Sequence, residues 1–267
     1  MTPSTRLLSR LRGFALMALA MSLLTACAGT PTASSSPSLP WSNARQLVVV
    51  TSADWDAVRG TMRRFERDGA DWKQVGAATP VMLGRAGSAW GIGLHGAQAD
   101  GPQKREGDGR NPAGVFGIGM AFGYADSART ALDYRQMQAT NWCMDVPASP
   151  LYNRIVDSRE VGEAAVEGSS ERMRLDLAKQ GDDRYRLGFV IEHNPRNVAG
   201  MGSCIFAHLW GNPDKTTAGC TAMDEAAMQA LVGWLKPDDH PAFVLMPDAA
   251  YDARQAAWQL PARTSFR

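Results

Sequence analysis

The residues best suited to chemistry are a histidine and a cysteine separated by a short loop. His208 follows the apolar residues Ile205-Phe206-Ala207, and Cys220 closes the segment Thr217-Ala218-Gly219-Cys220. A thiol near its ordinary pKa is only a few per cent thiolate at neutral pH, and a neighbouring imidazole can take its proton as attack begins. The pair predicts a Cys220 nucleophile with His208 as its base, against the alternative that Cys220 is an ordinary small buried side chain.

The local sequence places Cys220 between a loop and the start of a helix. Apolar residues recur at helical spacing from Asp224 to Leu235, Thr221-Ala-Met-Asp224 resembles a capping box, and Pro237 follows the last turn. Oriented amides at such a junction can bind an oxyanion, and the positive end of a helix favours a thiolate. We therefore expect the N–H groups of Gly219 and Cys220 to form an oxyanion hole.

The rest of the chain is predicted to be mostly strands and loops. A buried strand is expected at Leu47–Thr51, a hairpin at 61–75 whose spacing also fits a short helix, and loops with short strands between Gly84 and Gly123. Further predicted strands are Tyr185–Ile191, Ser203–His208 and Phe243–Met246. With 267 residues, of which 45% are hydrophobic, the sequence predicts one β-rich α+β domain over residues 41–267.

The N-terminus has the pattern of an export signal. An apolar run from Phe14 to Leu24 is too short to span a bilayer and fits the core of a signal peptide. The basic residues before it are Arg6, Arg10 and Arg12. The run ends in Leu24-Thr25-Ala26-Cys27, which resembles the bacterial lipobox, with a plain secretory cleavage site as the alternative. Residues 1–26 are therefore predicted to be a lipoprotein signal peptide.

Residues 27–40 are predicted to be a flexible linker that begins at the lipidated Cys27. The tract is rich in Ser, Thr and Pro and has little to bury. Ala28 stands where retention in the inner membrane would favour Asp, which points to an outer-membrane anchor facing the periplasm. Removal of residues 1–26 leaves a net charge of about −2, so no surface for nucleic acid is implied.

The cysteine count bears on which thiol is free. With Cys27 lipidated, three thiols remain in an oxidising compartment, and an odd count leaves one unpaired if the other two join. If Cys220 is the nucleophile, Cys143 and Cys204 are the disulfide partners. The alternative is that both are separate buried thiols, because sequence does not show whether they lie within reach.

Four more residues are candidates for a substrate cleft. His193 lies at a predicted strand end and is a competing base, unless it is simply hydrogen-bonded in a loop. Tyr152 and Arg154 stand near a predicted turn, where the arginine could hold a carboxylate bidentately or be solvated. Thr217 opens the cysteine segment and is placed in the cleft with them.

Two motifs together resemble the L,D-transpeptidase catalytic domain, the YkuD-like family. Its signature is a strand ending in His, a variable loop and Ser/Thr-His-Gly-Cys, which is similar to 205–208 followed by 217–220. The stretch from Lys104 to Phe116 resembles the K-x-G-D-x-x-T-P-x-G-x-F turn of the same family, in the same order. This chain departs from the pattern at Ala218, where the family has its second histidine, and at Ala222, where an arginine often stands.

The resemblance implies a fold and an activity. The fold is a mixed sheet or sandwich with a helix after the catalytic cysteine, and a backbone carbonyl such as that of Leu209 orients His208, with Asp214 as the side-chain alternative. Cys220 would form a thioester with a peptidoglycan tetrapeptide stem, release the terminal D-Ala and pass the acyl group to an amine. Carbapenem-type inhibitors would acylate Cys220, and neither a metal nor another cofactor is implied.

Two other functions stay open on the sequence. The same site could use water as acceptor, which would make the protein an L,D-carboxypeptidase or another hydrolase, because cleft shape and water exclusion choose the acceptor. The altered Thr-Ala-Gly-Cys segment could also belong to an inactive lipoprotein that binds the cell wall.

Overall fold

A sheet that closes on itself organises residues 38–267, the part of the chain that this computed structural model describes. The predictions for the signal peptide, for Cys27 and for linker residues 27–37 lie outside it. The strands are β1 (Gln46–Ser52), β2 (Arg59–Asp68), β3 (Asp71–Met82), β4 (Ser88–Trp90), β5 (Asn111–Gly123), β6 (Tyr134–Gln136), β7 (Asn141–Cys143), β8 (Ile155–Asp157), β9 (Glu171–Arg172), β10 (Leu187–Ile191), β11 (Phe206–Leu209), β12 (Thr221–Met223) and β13 (Ala242–Pro247).

The helices are few and short. They are α1 (Ser158–Val161), α2 (Leu175–Ala178), α3 (Glu225–Trp234) and α4 (Asp248–Arg254), with 3-10 turns at Glu163–Val166, Pro237–Asp239 and Arg263–Ser265. The described domain is therefore β-rich α+β, as the sequence predicts. None of its helices has the length and apolarity that a membrane span requires.

The main sheet runs in the order β10-β11-β12-β3-β2-β1-β13-β5-β4, and β10 also pairs with β5. That second pairing closes the sheet. The first core cluster includes Val48, Phe65, Phe116, Phe243 and Leu245, all at most 1% exposed, and it also takes in side chains of α3 and α4. Burial of such side chains contributes about 1.5–3 kcal/mol each and holds the closed sheet together.

A smaller sheet in the order β8-β7-β9 packs outside the closed one. A second core cluster is separate from the first and draws on both sheets. Its members are Phe122, Met137, Cys143, Met173, Tyr185, Cys204, Phe206 and Cys220. The candidate nucleophile thus lies on the face of the main sheet that the smaller sheet faces.

Several local predictions are confirmed and several are wrong. The 61–75 region is a hairpin, since β2 and β3 pair antiparallel from Arg59 to Met82, and not a short helix. The glycine-dense region contains the 13-residue strand β5, which the turn signals concealed. A Cβ at Gly117 would lie 2.1 Å from a Glu192 carboxylate oxygen, so glycine serves close packing there rather than a turn.

The segment after Cys220 also differs from the prediction. Thr221 does not cap the helix, because it belongs to β12, and α3 begins only at Glu225. The N-cap is Asp224, whose carboxylate accepts the Ala227 N–H at 2.8 Å. A strand therefore separates Cys220 from the positive end of the helix.

Candidate active site

Two neighbouring parallel strands bring His208 and Cys220 to the same face of the sheet. β11 pairs with β12 so that His208 lies opposite Ala222, two residues beyond Cys220. Side chains alternate along a strand, so residues two apart share a face. Ala207 and Leu209 accordingly point into the first core cluster, whereas Phe206 and Cys220 belong to the second.

His208 is held in a defined tautomer by a backbone carbonyl. Its Nδ1 lies 2.7 Å from the Leu209 carbonyl oxygen, which can only accept, so Nδ1 carries the proton and Nε2 is left with a lone pair. Leu209 is the orienting group that the family resemblance implies. Asp214, the alternative, instead pairs with Arg59 at the surface, 2.6 Å away. Burial lowers the pKa of His208 to about 4, so the ring is neutral at physiological pH.

The Cys220 sulfur is buried against backbone groups. It accepts the Phe206 N–H at 3.3 Å and lies 3.5 Å from the Cys204 carbonyl oxygen. Burial raises the pKa of the thiol to about 12, so the expectation that a helix end favours a thiolate is wrong for this state. Within residues 38–267, no hydrogen bond joins Cys220 to His208, and the resting site is a neutral thiol beside a neutral imidazole.

Thr217 fixes the turn that presents the cysteine. Its hydroxyl donates to the Cys220 carbonyl oxygen at 2.5 Å and accepts the Gly219 N–H at 3.1 Å. Gly219 N–H is therefore already bonded, and the expected oxyanion hole at Gly219 is not open in this state. The amide that approaches the sulfur is instead that of Phe206. Thr217 is 7% exposed, so it supports the turn rather than lining an open cleft.

The two sequence motifs meet at the cysteine turn. Asn111, in the 104–116 motif, donates its side-chain amide to the Thr221 hydroxyl at 3.1 Å. A Cβ at Gly219 would lie 2.9 Å from the Arg110 carbonyl oxygen, and Gly219 has a φ of 150°. A glycine is needed there because a side chain would push the turn away from the other motif.

Cys143 and Cys204 form a disulfide, and Cys220 is the free cysteine of the described residues. Of the two alternatives that the sequence left open, a Cys143–Cys204 bridge or two separate buried thiols, the structure has the bridge. The bridge ties β7 of the smaller sheet to the loop before β11. The carbonyl of Cys204 touches the Cys220 sulfur, so the bridge is anchored directly beside the candidate nucleophile.

The side chains of His193 and Tyr152 are engaged in structural hydrogen bonds, although His193 also lines the groove beside the disulfide. The two ring nitrogens of His193 are both engaged, because Nδ1 accepts the Ile92 N–H at 3.3 Å and Nε2 lies 2.9 Å from the Met201 carbonyl oxygen. Such a ring has no lone pair free to act as a base. Tyr152 is 2% exposed; its hydroxyl donates to the Glu106 carboxylate and accepts the Gly202 N–H at 3.1 Å.

Arg154 is exposed and lines a groove of about 520 Å³ beside the disulfide. The floor of the groove includes Cys204 and Phe206, the residues whose backbones touch the Cys220 sulfur. Arg135 and Glu192 also line it. Among the described residues, these three charged side chains form no ion pair and no side-chain hydrogen bond. The groove can therefore accept a ligand that carries charge.

Sequence reasoning missed two residues that lie at the site, Tyr185 and Glu171. The Tyr185 ring packs edge-on against His208 with 5.3 Å between ring centroids, and its hydroxyl donates to Glu171 at 2.6 Å. The one available signal was that the predicted strand Tyr185–Ile191 begins with a tyrosine. Nothing local links Glu171 to Cys220, which lies 49 residues further along the chain.

The chain was compared with family models, curated proteins and solved structures. Neither a family model, nor a curated protein, nor a solved structure matches the chain. The described residues contain no group of three or more His, Cys, Asp or Glu side chains placed to hold a metal ion. The chemistry of the site is therefore inferred from its geometry, in which a buried thiol lies next to a strand that carries an oriented, neutral imidazole.

Proposed function

We propose that the protein is a cysteine acyltransferase of the L,D-transpeptidase type that acts on peptidoglycan stem peptides in the periplasm. The observation that carries the proposal is the hydrogen bond from His208 Nδ1 to the Leu209 carbonyl, which leaves Nε2 free on the strand beside Cys220. The fold would be the mixed sheet of that family, tethered by a lipid on Cys27 at the outer membrane.

In this proposal Cys220 and His208 work as a neutral pair. His208 Nε2 takes the thiol proton while the sulfur attacks the carbonyl of the L-centre in the stem, and the resulting imidazolium returns the proton to the departing D-Ala amine. A thioester remains on Cys220. An acceptor amine then attacks the thioester, its proton passes to His208, and the thiol is restored as the new amide leaves.

The groove beside the disulfide is the proposed binding place for the stem peptide. It opens next to the backbone that contacts the sulfur, and its unpaired arginines suit a peptide that carries carboxylates. Cys220 itself is only 8% exposed, so the smaller sheet must shift for the scissile carbonyl to reach the sulfur.

Incubation of the mature protein with a carbapenem is expected to add one inhibitor mass, which peptide mapping places on Cys220. A strained β-lactam carbonyl acylates the nucleophile without any acceptor amine. The adduct therefore measures the reactivity of the nucleophile independently of the second half of the reaction. Cys220→Ala should show no adduct. Folded wild-type protein that stays unmodified would contradict the proposal, and an adduct on a different side chain would move the nucleophile elsewhere.

Product analysis then separates acyl transfer from hydrolysis. With a tetrapeptide stem and an added D-amino acid, a transferase should exchange the terminal D-Ala for the added residue. Release of tripeptide alone, unchanged by the added amine, would show that water is the acceptor and that the protein is a carboxypeptidase.

Replacement of Arg154 with glutamine is expected to raise the KM for a tetrapeptide stem by about tenfold, with a smaller change in kcat. Loss of a charge-assisted hydrogen bond to a carboxylate costs at least about 1.4 kcal/mol, which corresponds to that factor. Steady-state kinetics should be compared with Arg45→Gln, which removes an exposed arginine paired with Asp239, remote from the groove. Equal KM values for the two variants would remove Arg154 from the substrate site.

A further inference from the structure

Tyr185 connects the two members of the candidate catalytic pair. Its buried ring lies edge-on to His208 at 5.3 Å and to Phe206 at 5.5 Å between centroids. Phe206 is the residue whose N–H approaches the Cys220 sulfur. Tyr185 therefore packs against His208, the proposed base, and against Phe206, whose backbone N–H contacts the Cys220 sulfur. Edge-to-face packing of this kind favours one relative orientation of the two rings.

The Tyr185 ring is itself held at both ends. Its hydroxyl donates to Glu171 in β9 at 2.6 Å, and the preceding residue, Arg184, accepts the Leu209 N–H on its carbonyl at 3.0 Å. Leu209 is also the residue that orients His208. The stretch Arg184–Tyr185 thus runs beside the end of β11 and ties it to the smaller sheet.

Glu171 brings a carboxyl group into this buried cluster. Burial raises its pKa to about 7, and the negative charges of Asp145 and Asp182 act in the same direction. The Tyr185 hydroxyl and the Arg184 guanidinium oppose that rise, although Arg184 is itself engaged by Asp182 through two bonds of 2.7 and 2.8 Å. The carboxyl therefore changes charge near neutral pH.

Glu171 lies close to the nucleophile through the smaller sheet. It pairs with Cys143 between β9 and β7, and Cys143 is bridged to Cys204, whose carbonyl oxygen is 3.5 Å from the Cys220 sulfur. After burial, the Glu171 carboxylate is the largest cause that raises the pKa of the Cys220 thiol. The Phe206 N–H, Arg184 and Lys104 lower it. Because a nearby negative charge disfavours a thiolate, ionisation of Glu171 makes Cys220 harder to deprotonate.

We propose that Tyr185 and Glu171 are positioning residues for the Cys220–His208 pair. Tyr185 fixes the plane of the imidazole, and the Glu171 carboxyl that it holds controls how readily the neighbouring thiol ionises. The proposal rests on the proposed function for the identity of the nucleophile. It adds an influence on the reaction from residues that lie outside both sequence motifs. The Cys220 thiol loses its proton most easily when Glu171 is protonated.

The test is the rate at which iodoacetamide alkylates Cys220 between pH 5.5 and 9, measured by peptide mapping in the mature protein. In the wild type, the logarithm of the rate should rise linearly with pH on both sides of pH 7. Near pH 7, where Glu171 ionises, the plot should bend and continue on a parallel line at lower rates. Glu171→Gln imitates the protonated carboxyl, so its rate should match the wild type below pH 6. Above pH 8 it should be faster by about tenfold and show no bend.

Tyr185→Phe provides a second variant that keeps the ring against His208. Loss of the hydroxyl donor raises the pKa of Glu171, so the bend should move to higher pH while the rate below pH 6 stays the same. Glu167→Gln, which changes an exposed glutamate of the same segment, should follow the wild-type curve. Circular dichroism confirms that each variant is folded.

The outcomes separate this proposal from the proposed function. If Glu171→Gln superimposes on the wild type, or if the bend does not move in Tyr185→Phe, the positioning role is overturned even where a carbapenem still acylates Cys220. The reverse result, a shifted bend with no carbapenem adduct, would keep the positioning role and reject the transpeptidase assignment. A Cys220 that iodoacetamide does not alkylate at any pH would overturn the positioning role, and the carbapenem adduct alone would then decide the proposed function.

Discussion

Replacement of His208 with alanine is expected to slow carbapenem acylation of Cys220 by about a thousandfold. The physical reason is that the thiol has a pKa of about 12 and is almost wholly protonated at neutral pH, so attack needs a base that removes the proton during the reaction. His208 is the oriented histidine on the adjacent strand. Adduct formation followed by intact mass over time measures the rate.

A matched control comes from the other well-buried histidine near the site. His193 has a similarly lowered pKa, to about 4, but both of its ring nitrogens are bonded. His193→Asn should therefore lower stability and leave the acylation rate of the folded protein within a few-fold of the wild type. Added imidazole should partly restore His208→Ala. Equal losses of rate in the two histidine variants would contradict the assignment of His208 as the base.

The pH dependence of acylation follows from the same burial. Because the pKa of His208 is lowered to about 4, the base stays neutral as pH falls through the range where an ordinary histidine is protonated. The wild-type acylation rate should not show the loss near pH 6.5 that a solvent-exposed base would give. Such a loss would indicate that the site opens to solvent before the proton moves.

The sequence carried enough information to predict the elements that position the pair. The strand before His208, the helix after Cys220 and the 61–75 hairpin each depend on apolar spacing and turn residues that are local in the chain. The strand β5 was missed because its glycines look like turn signals. Gly117 leaves room for the side chain of Glu192, the residue that follows β10, and only the pairing of β5 with β10 reveals that need.

The candidate site was predictable in part for the same reason. His208, Cys220 and the orienting carbonyl of Leu209 lie within one short stretch, so their relation follows from order and spacing. The charge state of Cys220 did not follow, because it is set by burial and by Glu171, which belongs to a separate sheet. Sequence spacing carries no measure of desolvation, and desolvation is the largest effect on the pKa of this thiol.

Removal of the disulfide by the paired change Cys143→Ala and Cys204→Ala is expected to lower the free energy of unfolding by about 4 kcal/mol. The bridge closes a loop with a sequence separation of 61, and the loss of that constraint lets the unfolded chain gain conformational entropy. Both residues are also buried in the second core cluster, so the smaller sheet loses its covalent tie to the loop before β11. Urea unfolding with and without reductant gives the difference.

The effect should reach the nucleophile as well as the stability. Cys204 adopts a φ of 55°, and its carbonyl lies 3.5 Å from the Cys220 sulfur, so release of the bridge lets that loop relax away from the nucleophile. We expect the double variant to be acylated more slowly than the wild type below its unfolding transition. Reductant should destabilise the wild type and leave the double variant unchanged. A variant that unfolds within about 1 kcal/mol of the wild type would show that the bridge constrains little, since removal of a native disulfide typically costs 2–5 kcal/mol.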